Sequence, residues 1–175
     1  MMWRRYCSSG DRAAPVAGLT TSTPRVVDVD AERMAEASEV FVDAFQEDPW
    51  ARHLFRGSDA SFDRSVRNLY RALLEVRAAA EEPVLAVELD GVLVGIATIE
   101  PPDHVTRLLD SARSLSSLRA ILGLFTRTSP AGTRRLMAYA SAVTGQRPRE
   151  PHYYLHGLAV LRRAQGRGHA RQLLD

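Results

Sequence analysis

The chain has 175 residues, of which 45% are hydrophobic, enough for one domain with a buried core and too few to expect two. Its 23 basic residues, all of them arginine, nearly balance 21 acidic residues, which disfavours a surface dedicated to nucleic acid. Cys7 is the single cysteine, so an internal disulfide is excluded, and no Cys and His spacing is typical of zinc. We therefore expect no metal site and a reducing, cytoplasmic setting. No stretch approaches the roughly 18 consecutive apolar residues that span a bilayer, so no membrane partner is predicted.

Residues 1–24 are predicted to form a flexible leader, because polar residues, Gly and Pro fill them without an apolar signal core. A β-branched run, Arg25 to Val29, predicts a strand, and Asp30 then suits the N-cap of an amphipathic helix. Pro49 favours a second, short helix ending at Phe55. A third and longer helix is predicted from Ser61 to Ala80, where apolar residues recur at helical spacing.

Two β-rich runs, Pro83 to Leu89 and Val92 to Glu100, flank Asp90-Gly91, a pair that tolerates the positive φ angles of a tight hairpin turn. Leucine-rich periodicity then predicts an insert of two helices over residues 103–147, broken at Ser129-Pro130. Core packing is the favoured role of this insert, although residues such as Tyr139 could face a substrate. A final strand is predicted from Tyr153 to Val160.

A glycine turn follows this strand and leads into a helix at the end of the chain. In Gln165-Gly166-Arg167-Gly168-His169-Ala170, two residues lack a Cβ, so the backbone can approach a ligand closely. Unpaired N–H groups and the positive dipole end of a helix start together bind anions such as phosphate. Two glycines alone are a weak signal. A Walker motif is excluded by the residues that follow, and a dinucleotide fold needs an acidic residue about 20 positions later, past Asp175.

The strand and turn together resemble the acetyl-CoA motif of the GNAT family of N-acetyltransferases. The family signature is Gln or Arg, x, x, Gly, x, Gly or Ala, and Gln165, Gly168 and Ala170 meet its positions. Upstream, Asp48-Pro49 and the hairpin strand containing Val94 to Ala97 are similar to the family's first helix pair and third strand. The resemblance spans residues 25–175. It implies an α/β fold, with a mixed, mostly antiparallel sheet flanked by helices.

The resemblance also implies which residues bind acetyl-CoA, the co-substrate of the family. Backbone groups of the fourth strand would hold the pantetheine arm, and the amides of the glycine turn would hold the pyrophosphate. On this chain those positions are Leu158, Ala159, Val160, Gln165, Gly166, Arg167, Gly168, His169 and Ala170.

Two catalytic candidates follow from the same strand. The family places a Glu or His there as a general base, and arylalkylamine acetyltransferases have two His at the positions of Tyr154 and His156. In a regular strand His152, Tyr154, His156 and Leu158 share one face. Gly157 weakens that argument, since a glycine inside a strand often marks a bulge. His156 is therefore either a catalytic base or a polar residue bordering a cleft.

The resemblance implies that the family's fifth strand and later elements are missing after Asp175. The chain is therefore expected to be an N-terminal portion or a truncated gene product.

The predicted function is transfer of an acetyl group to a primary amine by direct attack. A non-catalytic acyl-CoA-binding or regulatory module, or an inactive product, is the alternative. Small amines, protein N-termini and lysines all stay open as acceptors, and a homodimer is one option. Glu47, Asp48 and Glu100 are available to attract a cationic amine, although such residues are more often simply solvated.

Overall fold

The computed structural model describes residues 23–103, 118–119, 122–123, 129–148 and 150–175. The predicted leader, apart from residues 23 and 24, and most of the predicted helix from 104 to 128 lie outside the described residues. Within them the elements are β1 (Arg25–Asp28), α1 (Met34–Ala44), α2 (Pro49–Leu54), α3 (Asp59–Ala79), β2 (Val84–Leu89), β3 (Val92–Glu100), α4 (Pro130–Gly145), β4 (Tyr154–Val160) and α5 (His169–Gln172). Short 3-10 turns at Ala31–Arg33 and Arg162–Ala164 precede α1 and follow β4.

Local sequence signals account for most of these boundaries. The Asp48 carboxylate accepts a hydrogen bond from the Ala51 N–H at 2.8 Å, and Pro49 occupies the first position of α2. Asp30 caps a helical start as predicted, but the start is the 3-10 turn, and α1 begins only at Met34. Helix α3 begins at Asp59, two residues before the predicted Ser61.

The four described strands form one antiparallel sheet in the order β1-β2-β3-β4. The predicted hairpin is confirmed: Asp90 and Gly91 have φ angles of 53° and 79° at the turn between β2 and β3. In this sheet β4 lies at an edge, paired on one side with β3. A mixed sheet was expected, and every pairing among the described strands is antiparallel. That the family's later elements are missing after Asp175 stays a prediction.

Two apolar clusters cover the two faces of this sheet. Helices α1 and α3 pack on one face, where Phe41 and Phe62 are almost fully buried and Ile96 belongs to the same cluster. Its neighbour Ala97 points to the other face, as strand alternation requires, and there it meets Leu173 beyond α5. Burial of a large apolar side chain contributes about 1.5–3 kcal/mol, so these clusters hold β3 and β4 in place. Among the described helices, none is both long and apolar enough to cross a membrane.

Candidate active site

Strand β4 carries one extra residue where it pairs with β3. Leu155 lies opposite Ile99 and Gly157 lies opposite Thr98, so His156 has no partner on β3. Such an unpaired residue is a β-bulge, which bends the strand and re-aims a side chain. The bulge that Gly157 signalled in the sequence is therefore present, and it is centred on His156.

The bulge changes which residues share a face. Leu158 lies opposite Ala97 and packs in the cluster beneath α5, so the predicted common face of His156 and Leu158 is wrong. Gly157 is held close to α1: a Cβ built on it would lie 3.0 Å from the Thr98 hydroxyl and 3.2 Å from Cε1 of Phe41. A methyl group here would fit only if Thr98 and Phe41, both buried, moved by a few tenths of an ångström.

The imidazole of His156 is hydrogen-bonded to a buried carboxylate. Glu100 ends β3 with a side chain only 4% exposed, and its Oε1 lies 2.7 Å from Nδ1 of His156. Arg77 on α3 donates to the same carboxylate at 2.7 Å, and Arg147 after α4 donates to its other oxygen. Burial alone would raise the pKa of Glu100, but hydrogen bonds from His156, Arg147 and Arg77 outweigh it and hold that pKa below its ordinary value.

The ionised state of Glu100 determines how the proton of His156 is placed. An ionised carboxylate can only accept, so the hydrogen of this bond lies on Nδ1 of His156. The side chain is 31% exposed, and no hydrogen bond to its Nε2 is found among the described residues. The ring therefore has one nitrogen anchored in the protein and the other available to a proton donor.

Aromatic side chains line the neighbourhood of this histidine. The ring of Tyr154 meets that of His156 edge to face at 6.4 Å, and the guanidinium of Arg147 lies 4.0 Å above the Tyr154 ring. Tyr139 on α4 is exposed and packs against Trp50 at 4.6 Å. Partial burial, together with Tyr154 and Asp48 nearby, raises the pKa of Tyr139. Residues from α2, α4 and β4 thus converge on one side of the sheet.

The glycine turn has the geometry of an anion site. Gly166 and Gly168 have φ angles of 75° and 84°, the left-handed region that favours glycine, and Gly168 caps α5. In this part of the chain the backbone N–H groups from Gly166 to Ala170 donate to no protein acceptor. Gly166, Arg167 and Gly168 are exposed, and free donors at a helix start suit a phosphate group.

Flanking side chains divide between ligand-facing and structural roles. The Arg162 guanidinium is held by Asp43, Gln46 and Glu47 of the α1 region, so it does not add free charge to the turn. Arg163 and Arg167 are exposed, and no described carboxylate pairs with either. A groove of about 370 Å³ opens between α1 and this segment, lined by Glu39, Val42, Asp43, Gln46, Leu161, Arg162 and Arg163.

Five further predicted cofactor residues occupy clear positions. Ala159 is buried in the α1 and α3 cluster, so it presents backbone rather than side chain. The Val160 carbonyl accepts a hydrogen bond from the Gln165 amide at 3.0 Å, which ties the strand end to the turn. His169 is buried, with Nδ1 3.2 Å from the Gln172 amide oxygen, and Ala170 is partly buried behind it.

Comparisons with known proteins agree with this arrangement. A family model described as Acetyltransferase (GNAT) family matches residues 39–175, so the chain belongs to the GNAT acetyltransferase family, a family of acyltransferases. One similar solved structure is a histone acetyltransferase HPA2 and related acetyltransferase from Corynebacterium glutamicum, with a TM-score of 0.57 and 19% sequence identity. The match covers 87% of this chain and 68% of that chain, and it shows a shared fold. A search of curated proteins finds no match.

Glu100 is the residue whose importance sequence reasoning missed. It was considered only as one of several solvated acids that could attract an amine, yet it is buried and bonded to three elements. Its partners Arg77 and Arg147 lie 23 and 47 residues away, and neither belongs to a motif. Only the position of an acid at the end of an otherwise apolar strand hinted at a special role.

Proposed function

We propose that the protein is an acetyl-CoA-dependent N-acetyltransferase that transfers the acetyl group directly to a primary amine. The observation that carries the proposal is the turn from Gly166 to Ala170, with two left-handed glycines and a row of unpaired N–H donors at a helix start. This arrangement fits the pyrophosphate of coenzyme A. Arg163 and Arg167 supply positive charge without a competing carboxylate.

The outer edge of β4 supports the second half of cofactor binding. No other described strand pairs with that edge, so backbone groups from Leu158 to Val160 are placed to bind the amide-containing pantetheine arm. An extended arm lying along β4 leads from the glycine turn back toward His156. The acetyl group would then lie close to the bulge, where the imidazole is exposed.

His156 is the general base in this proposal. The acceptor enters as an ammonium ion and gives a proton to Nε2, and the free amine attacks the acetyl carbonyl carbon. The carbon–nitrogen bond forms, the carbon–sulfur bond breaks, and the nitrogen gives its second proton to solvent water. The departing thiolate takes up a proton from Tyr154, which water then reprotonates, or from water directly. No metal is needed for this sequence of steps.

The acceptor is an amine that reaches the side of the sheet where α2, α4 and β4 converge. Asp48 would attract its positive charge, and the exposed ring of Tyr139, which packs against the partly buried Trp50, would contact a flat or apolar body. Small aromatic amines therefore head the acceptors to be tested, followed by aliphatic amines and peptides with a free N-terminus or a lysine.

The experiment is an acceptor screen that measures released coenzyme A thiol, combined with calorimetric titration of acetyl-CoA. His156→Ala should lower kcat by about 10²–10⁴-fold, the usual contribution of a general base. His152→Ala is the matched control, because its ring lies only 6.5 Å from Tyr154 but its Nδ1 contacts the Glu150 carbonyl. Tyr154→Phe tests the hydroxyl as the proton donor.

Three results separate the outcomes. Turnover that His156→Ala abolishes and His152→Ala preserves supports the proposal. Tight acetyl-CoA binding without turnover of any amine would favour a non-catalytic acyl-CoA-binding module. No binding of acetyl-CoA at all would contradict the assignment of the glycine turn.

A further inference from the structure

The strongest unexplained feature of the molecule is a buried cluster of charges at the end of β3. Two arginines and two carboxylates share it: Arg77 bridges Glu82 and Glu100 at 2.8 and 2.7 Å, and Arg147 reaches Glu100 from the other side. The side chains of Arg77, Glu82 and Glu100 are each no more than 4% exposed. Burying such charges costs several kcal/mol per ion before pairing, so a cluster of this kind needs a reason.

If the cluster served only to neutralise the buried Arg77 of α3, one carboxylate would be enough. Glu82 already pairs with Arg77, since it follows α3 and its side chain is fully buried. Glu100 differs from Glu82 because it also contacts His156 and Arg147, whose side chains are 31% and 24% exposed. The cluster therefore connects a buried anchor to a residue at the surface of the proposed site.

The bulge in β4 is what makes this connection. Glu100 lies opposite Tyr154. His156, two positions later, is the extra residue of the bulge, and its imidazole contacts the same carboxylate. Two independent features, the bulge and the buried acid, thus serve the same contact.

We propose that Glu100 is a positioning residue for His156, which it holds in the Nδ1–H tautomer with Nε2 directed toward the acceptor. Arg77 and Arg147 fix the carboxylate so that it cannot rotate away from the imidazole. This inference rests on the proposed acetyltransferase function for its catalytic meaning. In the reaction, Nε2 takes the proton of the acceptor ammonium ion, and the resulting imidazolium is stabilised by the Glu100 anion.

The pH dependence of this pairing involves every charged group that faces it in the described structure. These groups are Arg77 from α3, Glu82 after α3, Arg147 after α4, and Tyr154 beside His156 on β4. Two arginines and two glutamates balance each other. Neutralising Glu100 would leave an excess of positive charge next to the imidazole, which disfavours its protonation.

The test compares Glu100→Gln with Glu82→Gln, which removes the other buried carboxylate on Arg77 without touching His156. For Glu100→Gln we expect kcat to fall about 10²-fold, the lower end of a general base's contribution. The acid limb of kcat/KM against pH should move to lower pH, and the calorimetric affinity for acetyl-CoA should stay the same. Glu82→Gln should lose thermal stability yet keep the wild-type pH profile.

A second measurement needs no turnover. Nitrogen-15 NMR of the neutral imidazole in wild-type protein should show His156 protonated at Nδ1, with a shift toward the Nε2–H form in Glu100→Gln. An Nε2–H tautomer in the wild type would overturn the inference, as would a pH profile that moves equally in both variants. A wild type that shows the Nδ1–H tautomer but acetylates no amine would refute the proposed function and leave the positioning contact established.

Discussion

The glycine turn yields a prediction whose size follows from backbone geometry alone. Gly168 has a φ of 84°, and a Cβ added to it would meet nothing within 4 Å. Gly168→Ala therefore introduces no clash, and its cost is the left-handed conformation itself, about 1–2 kcal/mol for a residue with a Cβ. If the unbound turn relaxes away from that conformation, binding must restore it. The affinity for acetyl-CoA should then fall about 5- to 30-fold, since each 1.4 kcal/mol is tenfold.

The hairpin supplies a matched control for this measurement. Gly91 has a φ of 79° and equally open surroundings, but it lies in the turn between β2 and β3 and is not among the residues proposed to bind the ligand. Only Gly168→Ala should bind acetyl-CoA more weakly by calorimetry. It should lose less stability in urea unfolding than Gly91→Ala, because its relaxed turn meets the conformational cost on binding. Unchanged affinity in Gly168→Ala, or an equal loss in Gly91→Ala, would refute the assignment of this turn to the pyrophosphate.

Three further predictions concern space, charge and pH. Gly157→Ala should lower the free energy of unfolding by about 1–3 kcal/mol, because the methyl would press on the buried Phe41 ring and Thr98, whereas Gly145→Ala at the open end of α4 should not; urea midpoints decide this. Replacing Arg163 and Arg167 together by Gln should weaken acetyl-CoA binding and flatten its salt dependence in calorimetry, and an unchanged salt dependence would remove both from the site. The lowered pKa of Glu100 means that the unfolded chain takes up this proton first as the pH falls, so its stabilising effect is full above the ordinary Glu range and is lost progressively as the pH falls below that range. Unfolding curves at a series of pH values should therefore be less pH-dependent in Glu100→Gln than in wild type.

Local signals predicted the secondary structure well because each depends on only a few adjacent residues. Asp90-Gly91 specified a turn, Pro49 specified a helix start, and the glycine turn carried its own left-handed positions. The errors in the predicted helix boundaries were a few residues long, and they have a physical cause. Asp30 was correctly identified as a cap, but a 3-10 turn precedes the α-helix there, a difference that capping signals do not resolve.

The candidate site was predictable only in part, because its contacts join distant segments. Gly157 pointed to a bulge, but the consequence of that bulge for the faces of β4 required the pairing register with β3. Glu100 could not be distinguished from other acids until Arg77 and Arg147 were seen around it. A buried ion cluster is a tertiary property, and no periodicity in the sequence announces it.

The bulge explains how one strand can serve two halves of a reaction. In a regular strand, residues two apart share a face, so His156 and Leu158 would both have pointed toward α1 and α3. The extra residue reverses that alternation midway. Before it, Tyr154 and His156 face the buried acid; after it, Leu158 packs toward α5 and the glycine turn. A one-residue change of register moves every side chain of a strand to the opposite face. Without the bulge, either His156 would point away from Glu100, or Leu158 would point away from α5 and the glycine turn. The position of His156 is thus tied to the same register that places the cofactor loop.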